Sequence, residues 1–253
     1  SLVKTHQLNS VPALLARQAG VSGFQMPLIS EPGIPPELTL VSLSSSLPVI
    51  VPKSTSYGTP ENLSLGRPYN NLAVPGATLG DSLTKITDGG SGMHDIILRG
   101  LGPQIAQAVA QRPSFVTLWI GNNDVLLAAI AGRAIDGVTL TPAAIFRTQY
   151  QQLVDTLRSQ TSAKIVAANL PDVTSIPFVT TLPSVVLVNG QPVPLLGPNG
   201  PLPTGSYVLL TAASWLAQGY GIPASLGGRG PLPDEVVLDP SEVNSIRDRV
   251  AQN

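Results

Sequence analysis

No cysteine occurs among the 253 residues, which excludes disulfides, thiolate metal sites and a cysteine nucleophile. Histidine is almost as scarce: His6 and His94 are the only two, too few for a histidine-rich metal centre. Charge is thin as well, at 11% Asp, Glu, Lys and Arg, and 14 basic residues nearly cancel 15 acidic ones. A formal charge of -1 gives no electrostatic footprint for nucleic acid or an anionic membrane. No apolar run reaches the ~18 residues expected of a spanning helix. The opening SLVKTHQLNS also lacks the basic-then-apolar layout of a signal peptide. No cofactor is implied, and the expected partner is a small molecule.

What is present is apolar bulk. Hydrophobic residues make up 43% of the chain, ample for a buried core, and one domain over 1–253 is the expectation. Ser10, Pro12, Leu14 and Leu15 signal one helix, and Pro103 precedes another with Ile105 and Val109 four apart. A third is predicted from Thr141 as N-cap and Pro142, with Phe146, Tyr150, Leu153, Val154 and Leu157 at helical spacing. Near the end, Asp239 caps a helix with Pro240 in its first turn, and Val243, Ile246 and Val250 share a face.

Between these lie SFVTLWI and AKIVAANL, apolar runs without alternation, which read as strands of a parallel sheet covered on both faces. The helix-strand-helix-strand order argues an α/β layer structure, whose sites gather at the strand C-termini. Asn122 and Asp124 follow one such end, Asn169 and Asp172 the other.

Between Asp172 and Arg229 there is neither a charged residue nor a histidine. Repeated Pro and Gly break residues 173–228 too often for a membrane helix. Within it, VVLVNGQPV suggests a hairpin with an Asn-Gly turn and YVLLTAASWLAQG a short helix. Two readings stand: a Pro-rich loop inserted beside the sheet edge, or an apolar cap over a hydrophobic pocket.

Three short motifs could carry chemistry. Gly121-Asn122-Asn123-Asp124 leaves an apolar strand, where an Asn amide is a rigid donor suited to an oxyanion; the plain alternative is a turn bonded to its own backbone. NLAVPGA places Gly76 where a missing side chain lets a backbone N–H approach a ligand; the alternative is an ordinary Pro-Gly turn. Gly80-Asp81-Ser82-Leu83 has the letters of an esterase nucleophile, with His94 and Asp95 nearby in sequence. It reads better as a helix start capped by Asp81 or Ser82, because NLAVPGAT does not deliver a buried strand directly into the serine.

Taken together, these segments resemble the GDSL or SGNH hydrolases, serine esterases and lipases on a flavodoxin-like three-layer α/β/α fold. QLNSVPALLARQ is similar to the segment after their nucleophile strand, NLAVPGA to their glycine block, FVTLWIGNNDVL to their Gly-x-Asn-Asp block, and ANLPDVTSIPF to the strand and loop beyond. The resemblance implies a mostly parallel sheet, here incomplete, with the uncharged stretch as an insertion. It makes Gly76 the backbone oxyanion donor and Asn123 the side-chain donor, with Gly121 permitting the turn and Asp124 bracing it. The family nucleophile precedes the segment resembling QLNSVPALLARQ, and its Asp-x-x-His lies near the C-terminus. Ser1 stands too close to Asn9 to be that serine, and no histidine follows His94.

The expectation is therefore a fragment, inactive alone, of an exported bacterial ester hydrolase. A non-catalytic ligand-binding or surface protein on the same fold is the alternative.

Overall fold

The structure, a computed structural model, describes residues 1–42, 49–188 and 190–253. In chain order the helices and strands begin with α1 (Lys4–Gln7), α2 (Val11–Gln18), β1 (Leu38–Ser42) and β2 (Val49–Pro52). Then come α3 (Leu79–Thr84), α4 (Met93–Leu98), α5 (Gln104–Ala110), β3 (Phe115–Leu118), α6 (Asn123–Ala131), α7 (Ala143–Gln160) and β4 (Lys164–Ala167). The chain finishes with α8 (Pro177–Thr180), β5 (Val185–Val188), β6 (Gln191–Pro194), β7 (Leu196–Gly197), β8 (Gly200–Pro201), β9 (Tyr207–Val208), α9 (Ala213–Ala217), β10 (Val237–Leu238) and α10 (Pro240–Gln252). These elements form two compact units, one of Ser1–Trp119 and Gln149–Ala168, the other of Ile120–Thr148 and Asn169–Asn253.

In the first unit, Ser10 and Pro12 start α2, and its inward face is Ala13 and Ala16. Leu14 and Leu15 stay over 40% exposed. In α5 the buried residue is Gln107, whose amide nitrogen donates to Leu98 O at 2.9 Å and Gly102 O at 2.7 Å, pinning the turn before the helix. Val74, Ala77, Ile97 and Leu98 form a core cluster, and Tyr69, Ile29 and Leu79 are also fully buried. Each such large side chain contributes about 1.5–3 kcal/mol by leaving water. Arg99, in left-handed conformation after α4, lays its guanidinium 4.0 Å from the Tyr69 ring centroid and donates to the carbonyls of Leu63, Leu65 and Arg67.

β3 and β4 pair in parallel, Phe115 opposite Lys164 through Leu118 opposite Ala167, as the strand-helix-strand order requires. The two-faced burial expected of them does not hold: Phe115, Trp119 and Val166 remain 53–57% exposed. Among the described residues the ladder stops at two strands, and the face that carries these three side chains stays open to water. The other four ladders among the described residues, also two-stranded, are antiparallel.

In the second unit α6, α8, α10 and the turn at Val173 enclose one core that includes Val125, Ala128, Val179, Leu209, Leu238, Val243 and Ile246. Asp239 caps α10 by accepting from Ser241 N and Glu242 N, while the Glu242 carboxylate reaches back to Asp239 N, and Pro240 sits in the first turn. Within residues 173–228, β5 and β6 make the anticipated hairpin; Asn189 of its turn lies outside the described residues, and Gly190 has φ +79°. The helix read in YVLLTAASWLAQG is α9.

Candidate active site

The strand-to-helix corner at 121–124 is held by constraints from both sides. Gly121 has φ +113°, and a Cβ there would stand 2.7 Å from Phe146 Cζ and 2.8 Å from Cε2. Only glycine fits, for conformation and for space. Asn122 precedes the first turn of α6, Asn123 is its first residue and half-buried, and Asp124 is 2% exposed. The Asp124 carboxylate accepts from Thr141 Oγ1 at 2.8 Å and its carbonyl from Thr141 N at 2.9 Å. Thr141, read from the sequence as the start of α7, donates its hydroxyl to Asp124, so the loop before α7 braces the start of α6. A carboxylate this deep would be costly without such a donor. Asn122 Oδ1 is buried and has no hydrogen-bond partner among the described residues.

Gly76 lies in the first unit. A Val74–Ala77 turn closes by Ala77 N donating to Val74 O at 3.1 Å, with Pro75 second and Gly76 third at φ +83°. That is the Pro-Gly arrangement of a type II turn. Gly76 is exposed, nothing lies within 4 Å of a Cβ built on it, and its N–H has no acceptor among the described residues. The turn and the donor readings are therefore compatible: the turn sets the orientation and leaves the amide unspent.

The Gly-Asp-Ser-Leu string falls inside α3. Its cap is Thr78, not Asp81 or Ser82: Thr78 keeps an extended backbone and forms a capping box with Asp81, the third helical residue. Ser82 is 4% exposed and donates its hydroxyl to Leu79 O at 2.6 Å. His94 is buried at the start of α4, and its carboxylate partner is Asp88, at 3.0 Å from Nδ1, rather than Asp95. Asp88 also accepts from Lys85 Nζ at 2.8 Å and His94 N at 2.8 Å; Lys85 above all, then the His94 amide, hold its pKa down to about 2. Asp95 is bonded to the Thr87 hydroxyl, its largest pKa-lowering contact, and to the amides of Asp88, Gly90 and Gly92. His94 Nε2 has no partner among the described residues, and His6 Nε2 meets Glu37 Oε1 at 2.6 Å. Among the described residues, then, no histidine is bonded to a serine hydroxyl.

Nothing in the sequence alone singles out Asp88 or the Asp124–Thr141 tie. Gly92 leaves room for the first, since a Cβ there would fall 2.2 Å from Asp88 Cβ, but that approach exists only in the fold. The partners of the second are 17 residues apart across a helix and carry no sequence signal either. Two cavities of about 240 and 350 Å³ occur in the second unit, and neither is lined by 121–124. Among the described residues no group of three or more His, Asp or Glu could hold a metal ion, and no helix is long and apolar enough to cross a membrane.

The family profile described as GDSL-like Lipase/Acylhydrolase matches residues 11–218. The chain belongs to this family. The matched range contains the glycine turn at Gly76, the α3 string and the 121–124 corner. No curated protein and no solved structure matches the chain. Membership in the GDSL-like lipases and acylhydrolases makes ester hydrolysis the activity class, and the mixture of helices and small sheets accords with an α/β hydrolase.

Proposed function

We propose that this chain carries the oxyanion-binding part of a serine ester hydrolase, with the Gly76 N–H and the Asn123 side-chain amide donating to the tetrahedral oxyanion. The nucleophilic serine and its His–Asp base would be supplied from outside residues 1–253. The serine oxygen would add to the ester carbonyl while histidine takes its proton. The alcohol would leave with that proton, and water would release the acid from the acyl-enzyme. The observation that carries the reading is the corner at 121–124, where Gly121, Phe146 and Thr141 fix the residue that presents Asn123. Fixed donors cost no reorganisation when charge develops, which is what an oxyanion site needs. The unspent Gly76 amide adds a second donor of the right type.

In the intact parent enzyme, Asn123→Ala should lower kcat about 100-fold or more with little change in KM. An unchanged kcat would remove Asn123 from the reaction. Turnover of p-nitrophenyl esters by the 253-residue chain, abolished by Ser82→Ala, would move the nucleophile into α3.

Residues 173–228 support acyl esters with apolar chains as substrates: the segment is uncharged, and Val185 and Leu187 stand exposed on β5. Leu187→Ser should then reduce the preference for long over short acyl chains; an identical chain-length profile would dismiss the cap. The low charge supports export as well, a placement that recovery of the intact protein from the cytosol would exclude.

A ligand-binding protein without turnover is favoured by one observation, the lack of any serine–histidine bond among the described residues. The flanking coding sequence separates the two readings: a strand ending in Gly-Asp-Ser upstream and Asp-x-x-His downstream belong to the enzyme.

A further inference from the structure

Folded chains hide aliphatic side chains, and the β1–β2 ribbon does not. Leu38, Thr39 and Leu40 pair with Pro52, Val51 and Ile50, and an irregularity at Val41 brings Ser42 opposite Val49. Alternation along a strand puts Leu38, Leu40 and Ile50 on one face and Val51 on the other. Leu38 is 68% exposed, Leu40 52%, Val41 60%, and Val49, Ile50 and Val51 38–43%. Single exposed aliphatics are ordinary, but a ribbon bare on both faces is not.

Charge lies just outside the ladder. Residues 38–52 contain no charged side chain, and the first charges flank them directly. Glu37 accepts from Lys53 Nζ at 3.0 Å and meets His6 Nε2 at 2.6 Å, while Lys53 N donates to Glu37 O at 2.6 Å. An uncharged ladder that begins and ends beside a Glu37–Lys53 ion pair is complementary to a lipid–water boundary, with apolar side chains beyond and polar headgroups at the charges. A protein partner would cover one face of the ribbon and leave the other wet; a fluid phase wraps both. The irregularity at Val41 and Pro52 at the end of β2 work against pairing edge to edge with a second copy.

We propose that the β1–β2 ribbon docks this protein on the surface of electrically neutral lipid, its apolar side chains entering the boundary beneath the headgroups. Depth is limited by the backbone: the outer edges of a two-stranded ladder need hydrogen-bond partners that the hydrocarbon core cannot supply. Attachment comes from apolar burial, because the ribbon has no cation to attract anionic headgroups and Glu37 neutralises Lys53. The assignment uses neither Gly76 nor Asn123 and stands whether or not the chain turns over an ester.

The test is flotation of the 253-residue protein with phosphatidylcholine vesicles. Wild type should float, with binding little changed by high salt. Leu40→Asp/Val51→Asp, one charge on each face, should lower partitioning by about tenfold or more, the factor for keeping one aliphatic side chain out of an apolar phase. Val138→Asp, at a still more exposed aliphatic elsewhere, should float like wild type. Leu40→Ser/Val51→Ser, which brings no charge into the ladder, should also weaken binding. Thermal midpoints within a few degrees of wild type would show that the variants are folded. Failure of wild type to float, equal flotation of the ribbon variants, or binding that requires phosphatidylglycerol and disappears in salt would each overturn the proposal. A wild-type dimer that the ribbon substitutions turn into monomer, without flotation, would give the surface to a second copy instead.

Discussion

Replacing Asp88 by alanine is the most direct test of how the segment between α3 and α4 is held. Three groups converge on its carboxylate: Lys85 Nζ, the His94 amide and the His94 ring. The lysine contact counts for little, because Lys85 is 38% exposed and such pairs are worth about 0–1 kcal/mol. The amide bond resembles a helix cap, worth about 1 kcal/mol. The ring is 95% buried by its 5% exposure, and stranding its Nδ1 should cost about 1–3 kcal/mol. Asp88→Ala should therefore destabilise the first unit by about 2–4 kcal/mol, and Asp88→Asn, which keeps an acceptor, by about 1 kcal/mol. The pH dependence has a definite sign. The folded carboxyl titrates near 2 against an ordinary 3.8, so its contribution is complete above pH 4 and is lost as pH falls towards 2. Urea unfolding at neutral pH, exchange of the His94 amide, and a pH series in acid measure all three effects. An alanine variant within about 0.5 kcal/mol of wild type, or one with an unaltered acid slope, would refute the reasoning.

Gly121→Ala should destabilise the second unit by about 1–3 kcal/mol through overpacking against Phe146, seen as a lower urea midpoint; a neutral result would mean that the corner can relax. Thr141→Val removes the donor to a buried carboxylate and should cost about 1–3 kcal/mol by thermal unfolding, whereas Thr141→Ser should recover most of it. Ser82→Ala in the intact enzyme should leave kcat within about twofold, since the hydroxyl is directed at Leu79 O; a loss of turnover would return that serine to the chemistry.

Legibility in the sequence followed the range of the forces involved. The α10 start was readable because Asp239 and Pro240 act within one turn, and Val243 and Ile246 face the core at the spacing a helix dictates. β3 and β4 were readable as parallel strands because their composition is apolar and a helical connection separates them. Their exposure was not, since covering both faces depends on neighbours that a local pattern cannot count. Asp81 looked like a cap for the same local reason: a cap is defined by the extended backbone of Thr78, and both residues are cap formers. At the candidate site, Gly121, Asn123 and Asp124 could be picked out by motif, but the Thr141 tie and the Phe146 wall come from segments that only folding brings near.

The half-bare parallel pair has a consequence for the protein in the test tube. Phe115, Trp119 and Val166 offer water an oily stripe whose attraction for similar surfaces weakens in the cold and grows on warming. Clumping in concentrated stocks should therefore set in with rising temperature well before the helices melt, and ice rather than salt is the means to reverse it.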